Sequence, residues 1–171
     1  MLSWGFCLKN IIRGGIMAED WEMRRLEFHE GCRLLPYRCT AGKLTIGIGR
    51  CIEMNPFTKE ELQAVGDWKH GITRNAALML LRNDIDRCKK ELAGLDFYAK
   101  LDLERKYALL DMCFQLGFKG LCGFKKMLEA MRWGKWDKAA AECLNSDYAR
   151  QTPARAKRIA RLIKEGIWLR E

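Results

Sequence analysis

The stretch from His29 to Arg50 decides the fold and reads HEGCRLLPYRCTAGKLTIGIGR. Its first residues close a predicted helix over about 19–30, because Gly31 suits the left-handed position just after a helix end. A proline and a Thr-Ala-Gly cluster then predict turns, and Leu44 to Gly49 alternates as a strand does. The stretch therefore predicts a helix end that leads into a small β-rich lobe, over about 31–72.

The rest of the chain reads as helical. Thr73 is a good N-cap for the longest helix, predicted over 74–93, whose apolar residues recur at steps of three and four and form one buried stripe. A short helix begins near Thr58. Further helical patterns, separated by glycines and a Gln-Thr-Pro break, cover about 102–116, 121–132, 136–144 and 154–168. These patterns predict an α+β fold in which the long helix joins the β-rich lobe to a mainly helical lobe (19–30 plus 73–171), with a cleft between them.

The composition fits one globular domain, or two small lobes that share a core. The chain has 171 residues, 49% of them apolar, and a net charge of +9. The positive charge favours polyanions such as nucleic acid, anionic lipid or the acidic polymers of a bacterial wall. The basic residues are spread along the chain without a nucleic-acid-binding motif, so we expect no nucleic-acid partner.

The eight cysteines predict reduced, mostly buried thiols. They show no CxxC pair and no Cys/His spacing typical of a metal site, so we expect no metal and no cofactor. Cys88, Cys113 and Cys143 fall at apolar positions of predicted helices, where cysteine acts as a small hydrophobe. A chain of this size does not need disulfides to fold.

Residues 1–18 predict a poorly ordered extension ahead of the domain at 19–171. The first sixteen residues are mildly apolar but contain charged residues and glycines, so they favour neither a membrane span nor a secretory signal. The segment is either a leader or the result of a start upstream of Met17.

Three motifs resemble those of the phage-type lysozymes (endolysins), in the same order and spacing over about residues 20–168. They are HEG with TIGIGR at 29–31 and 45–50, FQLG at 114–117, and QTPARAKR at 151–158. The resemblance implies a lysozyme-like fold and a muramidase that cuts the β-1,4 bond between N-acetylmuramic acid and N-acetylglucosamine of peptidoglycan. It also implies a monomer that binds a glycan strand without metal or cofactor and stays in the host cytoplasm until it is released to the wall.

The resemblance assigns catalytic roles to Glu30 and Thr45. Cleavage of a glycosidic bond needs a proton for the leaving oxygen and a second group that stabilises or attacks the sugar carbon. Glu30 matches the family's acid, and Thr45 matches the threonine that orients the attacking water. The family's aspartate, nine positions after the glutamate, is replaced by Cys39, and the chain has no Asp or Glu between Glu30 and Thr45.

The role of Cys39 has several readings. The residue is either a small apolar side chain beside a turn or a functional replacement for the aspartate. A free thiol has a pKa of about 8.5, so only a small fraction is thiolate at pH 7 unless Arg38 or the local backbone lowers that pKa. The thiolate is a strong nucleophile. The site works by thiolate-assisted attack of water, by covalent catalysis with retention, or by Glu30 and a water held at Thr45.

The remaining site residues follow from the same resemblance. Arg50 stands where the family usually has a histidine, and we predict that it forms an ion pair with Asp84 that links the lobes. Phe114 and Gln115 match residues that line the glycan cleft, and Arg155 matches an arginine near the acid. Further subsite positions hold side chains that differ from the family's, and they are Cys51, Met127 and Glu142.

Alternatives to the muramidase remain open. A lytic transglycosylase needs only one acid/base residue and yields an anhydro product, which suits a lone carboxylate. A catalytically silent peptidoglycan-binding module would keep the cleft without turnover. The last helix, predicted over 155–170, has one apolar face and several basic residues. It reads either as a packing helix or as a segment that makes weak contact with an anionic membrane.

Overall fold

The computed structural model describes residues 15–39 and 42–167, with side chains from residue 21 onward. The chain forms two compact units, divided between Asp84 and Ile85. Most of the described chain is helical, and one three-stranded antiparallel sheet lies in the first unit. This confirms the predicted α+β class, while the predicted cleft between two lobes stays a prediction.

The first unit begins with helix α1 (Gly15–Glu30), which starts four residues before the predicted position at 19. Residues 1–14 of the predicted extension lie outside the described residues. Strands β1 (Arg33–Arg38), β2 (Leu44–Gly47) and β3 (Arg50–Cys51) follow, and they pair in that order.

The strand predicted over 44–49 is shorter in the structure. It ends at Gly47, because Ile48 and Gly49 form the turn that reverses the chain into β3. Gly47 has a φ of 67°, and an added Cβ there would lie 3.4 Å from the Cβ of Ala77. A glycine therefore both allows the bend and lets the next long helix pack close to the sheet.

Helix α2 (Lys59–Val65) begins with a capping box. The Thr58 hydroxyl accepts a hydrogen bond from the Glu61 N–H at 3.2 Å, and the Glu61 carboxylate accepts one from the Thr58 N–H at 3.0 Å. Helix α3 (Arg74–Leu92) is the long helix, and Thr73 caps it as predicted, since its hydroxyl accepts from the Ala76 N–H at 3.1 Å. The division between the two units falls within this continuous helix.

The second unit is helical. Helices α4 (Leu103–Cys122), α5 (Lys125–Arg132), α6 (Trp136–Leu144), α7 (Asp147–Gln151) and α8 (Pro153–Glu165) follow α3. The prediction of one helix over 102–116 was too short: α4 continues past a kink at Gly117, whose φ of 69° and ψ of 161° are not helical. The unit buries the apolar faces of these helices, with Leu109, Met131, Cys143 and Ile163 among the buried side chains.

Helix α8 ends at Glu165 rather than near 168, because Gly166 adopts the left-handed conformation and its N–H donates to the Leu162 carbonyl. The Arg105 guanidinium donates to the carbonyls of Ile163, at 2.8 Å, and Lys164, at 3.1 Å. These bonds satisfy carbonyls that the end of a helix leaves without partners. Arg105 thus fixes the C-terminus of α8.

The described cysteines form no disulfide with one another. Cys88, Cys113 and Cys143 are buried, which confirms that they face the helical core. Within the described part of the chain, no helix has both the length and the apolar character that a membrane span requires.

Candidate active site

Glu30 is the last residue of α1, and its side chain is half-buried. The helix stops here because Gly31 takes a φ of 69°, the left-handed value predicted from the sequence, and its N–H donates to the Glu27 carbonyl at 2.8 Å. The chain then turns directly into β1. A carboxylic acid is thereby held at the junction of the first helix and the sheet.

Cys39 follows the last residue of β1, at the entrance to a tight turn. Its N–H donates to the Lys43 carbonyl at 2.9 Å, and its own carbonyl accepts from the Gly42 N–H at 2.8 Å. The Arg38 guanidinium donates to the Gly42 carbonyl at 2.6 Å and lies 3.7 Å from Glu53. Two ordered turn bonds therefore fix the backbone that carries the half-buried thiol.

Thr45 lies in β2 and is buried, with 3% of its surface exposed. Its hydroxyl donates to the Lys43 carbonyl at 3.1 Å. That bond uses the hydroxyl proton, so what Thr45 can offer a water molecule is its oxygen lone pairs.

Tyr37 lies near Glu30, Cys39 and Thr45, and sequence reasoning did not identify it. It lies opposite Thr45 in the β1–β2 register. Burial raises the pKa of its phenol, the nearby Arg33 guanidinium opposes that rise, and the charges of Glu30 and Cys39 add to it. Glu30 and Cys39 are thus close enough to Tyr37 for their charges to act on it. The available signal was its position two residues before Cys39, a spacing that would place both on one face of an extended segment.

Arg50 is the centre of a buried ion network. Its Nε donates to Asp84 Oδ2 at 2.6 Å, which confirms the predicted ion pair. Its two terminal nitrogens donate to the Glu61 carboxylate at 2.8 and 3.0 Å, a bidentate pair that sequence reasoning missed. The three side chains are 3–4% exposed. The Thr58-Lys-Glu-Glu61 capping pattern was the available signal, although it indicates a helix start and not an arginine partner.

The charges in this network strongly favour the ionised forms. Burial works against ionisation of Glu61, but hydrogen bonds from Arg50, Asn83 and the Thr58 N–H outweigh it and lower its pKa to about 2. Burial also disfavours the charged form of Arg50, yet its bonds to Glu61 and Asp84 raise its pKa above the usual value. Glu61 and Arg50 therefore stay charged throughout the physiological pH range.

The candidate binding residues Phe114 and Gln115 lie on α4 in the second unit and are half-buried. The Gln115 Nε2 is fully buried and has no hydrogen-bond partner among the described residues. A buried amide donor left in this way costs about 1–3 kcal/mol, and a ligand acceptor would remove that cost.

Arg155, at the start of α8, belongs to an ion cluster in the second unit. Its Nε lies 3.7 Å from Asp111 Oδ1, and Arg158 donates to Asp111 Oδ2 at 2.9 Å. Asp111 is fully buried. Sequence reasoning missed Asp111 and its pairing with Arg158, because nothing local marks them as partners. The predicted position of Arg155 near Glu30 stays a prediction.

The second unit also contains an open cavity of about 690 Å³. Met127 and Glu142, which the sequence places at further subsite positions, both line it, together with Lys126, Tyr148 and Arg150. Cys51, the third such position, lies half-buried in β3 of the first unit.

Comparison with known proteins gives a match to the family described as Phage lysozyme over residues 27–163, most of the chain. The chain belongs to the phage lysozyme family. Probable T4-type lysozyme 2 of Dictyostelium discoideum is 31% identical over 156 residues, which cover 82% of this chain and 92% of the relative. Probable T4-type lysozyme 1 of the same organism is 32% identical with the same coverage.

A third relative is much longer than this chain. The pre-baseplate central spike protein Gp5 of Enterobacteria phage T4 is 30% identical over 151 residues, or 80% of this chain and 26% of that protein. The family match includes every candidate site residue, from Glu30 in α1 to Arg155 in α8.

In this member of the phage lysozyme family, the candidate residues fall into two sets, one in each unit. Glu30, Cys39 and Thr45 lie in the first unit, as does the Arg50–Asp84 pair. Phe114, Gln115 and Arg155 lie in the second. Within the first unit, a helix end, a turn and a strand hold an acid, a thiol and a hydroxyl, which are the functional groups for proton transfer and for positioning water.

Proposed function

We propose that this protein is an endolysin-type muramidase that hydrolyses the β-1,4 bond between N-acetylmuramic acid and N-acetylglucosamine in peptidoglycan. Its membership of the phage lysozyme family supports lysozyme-like peptidoglycan hydrolysis. The observation that carries the finer proposal is the grouping in one unit of an acid at the end of α1 and a hydroxyl in β2 across from Tyr37. No metal or cofactor takes part in the proposed reaction.

In the proposed reaction Glu30 is the general acid. Its proton passes to the glycosidic oxygen as the bond from that oxygen to the sugar carbon breaks. A water molecule, held by the lone pairs of Thr45, forms the new bond to the sugar carbon. The Cys39 thiolate accepts a proton from that water, so the enzyme ends with a glutamate anion and a thiol, and proton exchange with solvent restores the starting state.

Two other routes keep Glu30 as the acid. The Cys39 thiolate can attack the sugar carbon itself and form a covalent intermediate, which gives retention. Alternatively Glu30 and a water at Thr45 act without the thiol. We favour thiolate-assisted attack of water, because the turn bonds at Lys43 and Gly42 hold the cysteine backbone in place directly after β1.

The glycan strand is proposed to contact Phe114 and Gln115. An N-acetyl carbonyl or a sugar hydroxyl is the kind of acceptor that the buried Gln115 Nε2 lacks among the described residues. Arg155 and the Arg50–Asp84 pair are proposed to act as structural support and not as groups that touch the substrate.

The test is product analysis of purified peptidoglycan by mass spectrometry, under reducing conditions and with Glu30→Gln as the matched control. Hydrolysed reducing ends that vanish in Glu30→Gln support the muramidase. A Cys39→Ser variant then separates the two routes that use the thiol from the one that does not. Both thiol routes predict a large loss of activity, and full activity would show that the thiol has no catalytic role. Products that persist in Glu30→Gln would contradict the assignment of the acid.

The lytic transglycosylase is the second candidate, and one observation favours it: the sequence has no second carboxylate between Glu30 and Thr45. In that reaction the sugar's own hydroxyl replaces water. Its products would be lighter than hydrolysis products by one water molecule. Peptidoglycan binding without any product would instead support a silent binding module.

The proposal extends to lysis and location. The enzyme is proposed to stay in the host cytoplasm until it is released to the cell wall, and to be a monomer. Cell fractionation before lysis and light scattering of the purified protein test these points. Membrane contact through α8 is the weaker part of the proposal. Its apolar face is buried, and Arg158, Arg161 and Lys164 form ion pairs within the second unit. Co-sedimentation of the whole protein with anionic liposomes tests that contact.

A further inference from the structure

Two helices of the second unit bring two thiols and a carboxylate together. Cys88 and Glu91 are three residues apart on α3 and so lie on the same helix face. Cys113 lies on α4. One donor atom from each residue lies within 4.8 Å of the others, and Cys113 Sγ is 3.8 Å from Glu91 Oε2.

The surroundings of this thiol cluster (Cys88, Glu91 and Cys113) distinguish it from ordinary core cysteines. Both thiols are 1% exposed, whereas Glu91 is half-buried and gives the cluster a polar edge. A buried cysteine usually needs nothing more than apolar neighbours. Here the acidic side chain of Glu91 points toward the Cys113 thiol. Acidic side chains are rarely buried, and a thiol is only a weak hydrogen-bond donor.

We propose that Cys88, Cys113 and Glu91 form a binding site for one thiophilic divalent cation, of which Zn²⁺ is the best match. Two sulfur ligands favour Zn²⁺ over Mg²⁺ and Ca²⁺, which prefer oxygen ligands throughout. A carboxylate oxygen completes a set of three protein ligands, and the exposed side of Glu91 allows entry of the ion and of a water as fourth ligand. On binding, each thiol gives its proton to solvent and becomes a thiolate.

The ligand atoms lie near the separations of tetrahedral zinc. Bond lengths of about 2.3 Å to sulfur and about 2.0–2.2 Å to oxygen place neighbouring ligand atoms about 3.5–3.8 Å apart in a tetrahedron. The Cys113 Sγ to Glu91 Oε2 distance of 3.8 Å is already at that value. The three ligand atoms lie within 4.8 Å of one another, so binding requires them to approach by up to about 1 Å, a shift that side-chain rotation supplies.

A cation here would cross-link α3 and α4. An ion that binds only the folded chain raises its stability by mass action. The site is independent of the proposed glycan chemistry, and its test needs no measurement of activity. No motif in the sequence marks this site. Cys88 and Glu91 lie on one helix and Cys113 follows Glu91 by 22 residues, a spacing that does not match the common metal-binding motifs.

The test is a titration of the full chain with Co²⁺ under anaerobic conditions and a reductant that contains no thiol. We expect one equivalent to produce thiolate-to-metal charge-transfer absorption and the visible bands of tetrahedral cobalt. Zn²⁺ should displace the cobalt and raise the melting temperature. Absence of the charge-transfer absorption in the reduced wild-type protein would overturn the proposal.

Variants locate the site. Cys88→Ala and Cys113→Ala should each abolish the tight one-equivalent signal, while Cys143→Ala, an equally buried cysteine outside the cluster, should keep it. Glu91→Gln leaves both thiols in place, so it still tests the site if the alanine variants fail to fold. It should weaken binding by at least the ~10–100-fold that outer-shell changes cause. A signal that survives in both Cys88→Ala and Cys113→Ala would place the metal elsewhere and refute the site.

Discussion

Replacing Arg50 with methionine tests the buried ion network most directly. The substitution keeps an unbranched, flexible side chain but removes the guanidinium and its charge. It deletes three charge-assisted hydrogen bonds, one to Asp84 and two to Glu61, and leaves two carboxylates in a site where the side chains are only 3–4% exposed. Loss of one partner from a buried pair costs about 3–5 kcal/mol, because the remaining charge is uncompensated.

The structure narrows that range. Three charge-assisted bonds at about 1.5–3 kcal/mol each would sum to more than 4 kcal/mol. The carboxylates keep other donors, however, since Glu61 still accepts from Asn83 at 2.8 Å and from the Thr58 N–H at 3.0 Å, and Asp84 still accepts from Asn55. We therefore expect a loss of about 4 kcal/mol in the free energy of unfolding at pH 7.

The pH dependence gives the prediction a distinctive signature. Without the arginine, burial and mutual repulsion raise the pKa values of the two carboxyls in the folded variant above their unfolded values. The folded variant then binds more protons than its unfolded chain, so its stability increases as the pH falls toward about 4. The wild type behaves in the opposite way, and the difference between the two proteins narrows on acidification.

Urea unfolding at pH 7 and at about pH 4 measures this difference. Arg161→Met is the matched control, because Arg161 pairs with Glu165 on the surface, with 51% of its side chain exposed. The control should change stability by no more than about 0.5 kcal/mol. A loss below about 1 kcal/mol for Arg50→Met, or a loss that stays the same at both pH values, would refute the reasoning.

Three further predictions follow from the structure. The pKa of Glu61 is lowered to about 2, so its ionised form stabilises the folded wild type above that pH. As the pH falls from about 4.5 to 2, the difference in free energy of unfolding between the wild type and Glu61→Gln should shrink by about 3 kcal/mol, as acid unfolding measures. Gly166→Ala should destabilise by more than the about 1–2 kcal/mol of a left-handed alanine, because its Cβ would clash with Arg105 Nη1. Gly134→Ala, with a φ of 65° and contacts no closer than 3.7 Å, should show the conformational cost alone in thermal melts. Equal losses would rule out the arginine contact. If Cys39 is the base, wall-clearing activity should rise toward about pH 8 and disappear on thiol alkylation, whereas Cys39→Asp should be active and insensitive to alkylation; an alkylation-resistant wild type would contradict this.

Several elements were predictable because their signals are local. Gly31 after the first helix, Thr73 before the long helix and the alternation that begins at Leu44 each reflect the backbone preferences of a few neighbouring residues. The predictions failed where tertiary packing sets a boundary. The strand ends at Gly47, because the next residues turn into β3, and that short strand has no pattern of its own.

The candidate site divides in the same way. Glu30 and Thr45 were selected by their motif, and their roles stay predictions, whereas the Arg50–Asp84 pair was predicted through the resemblance and is present in the structure. Glu61 was not found, since its pairing with Arg50 joins residues that no periodicity connects. Tyr37 was missed for a related reason: the effect of the Glu30 charge on it arises only because β1 follows directly on α1.

The sequence by itself determined the family, the α+β class and most of the helices, and it selected Glu30 and Thr45 as candidates, because these depend on short-range patterns and on motifs with set spacing. The tertiary structure alone decided which buried charges pair, which buried amide has no acceptor among the described residues, and that Cys88, Glu91 and Cys113 meet. Such contacts depend on how separate helices and strands pack, and side-chain packing is not encoded in any local stretch of the chain.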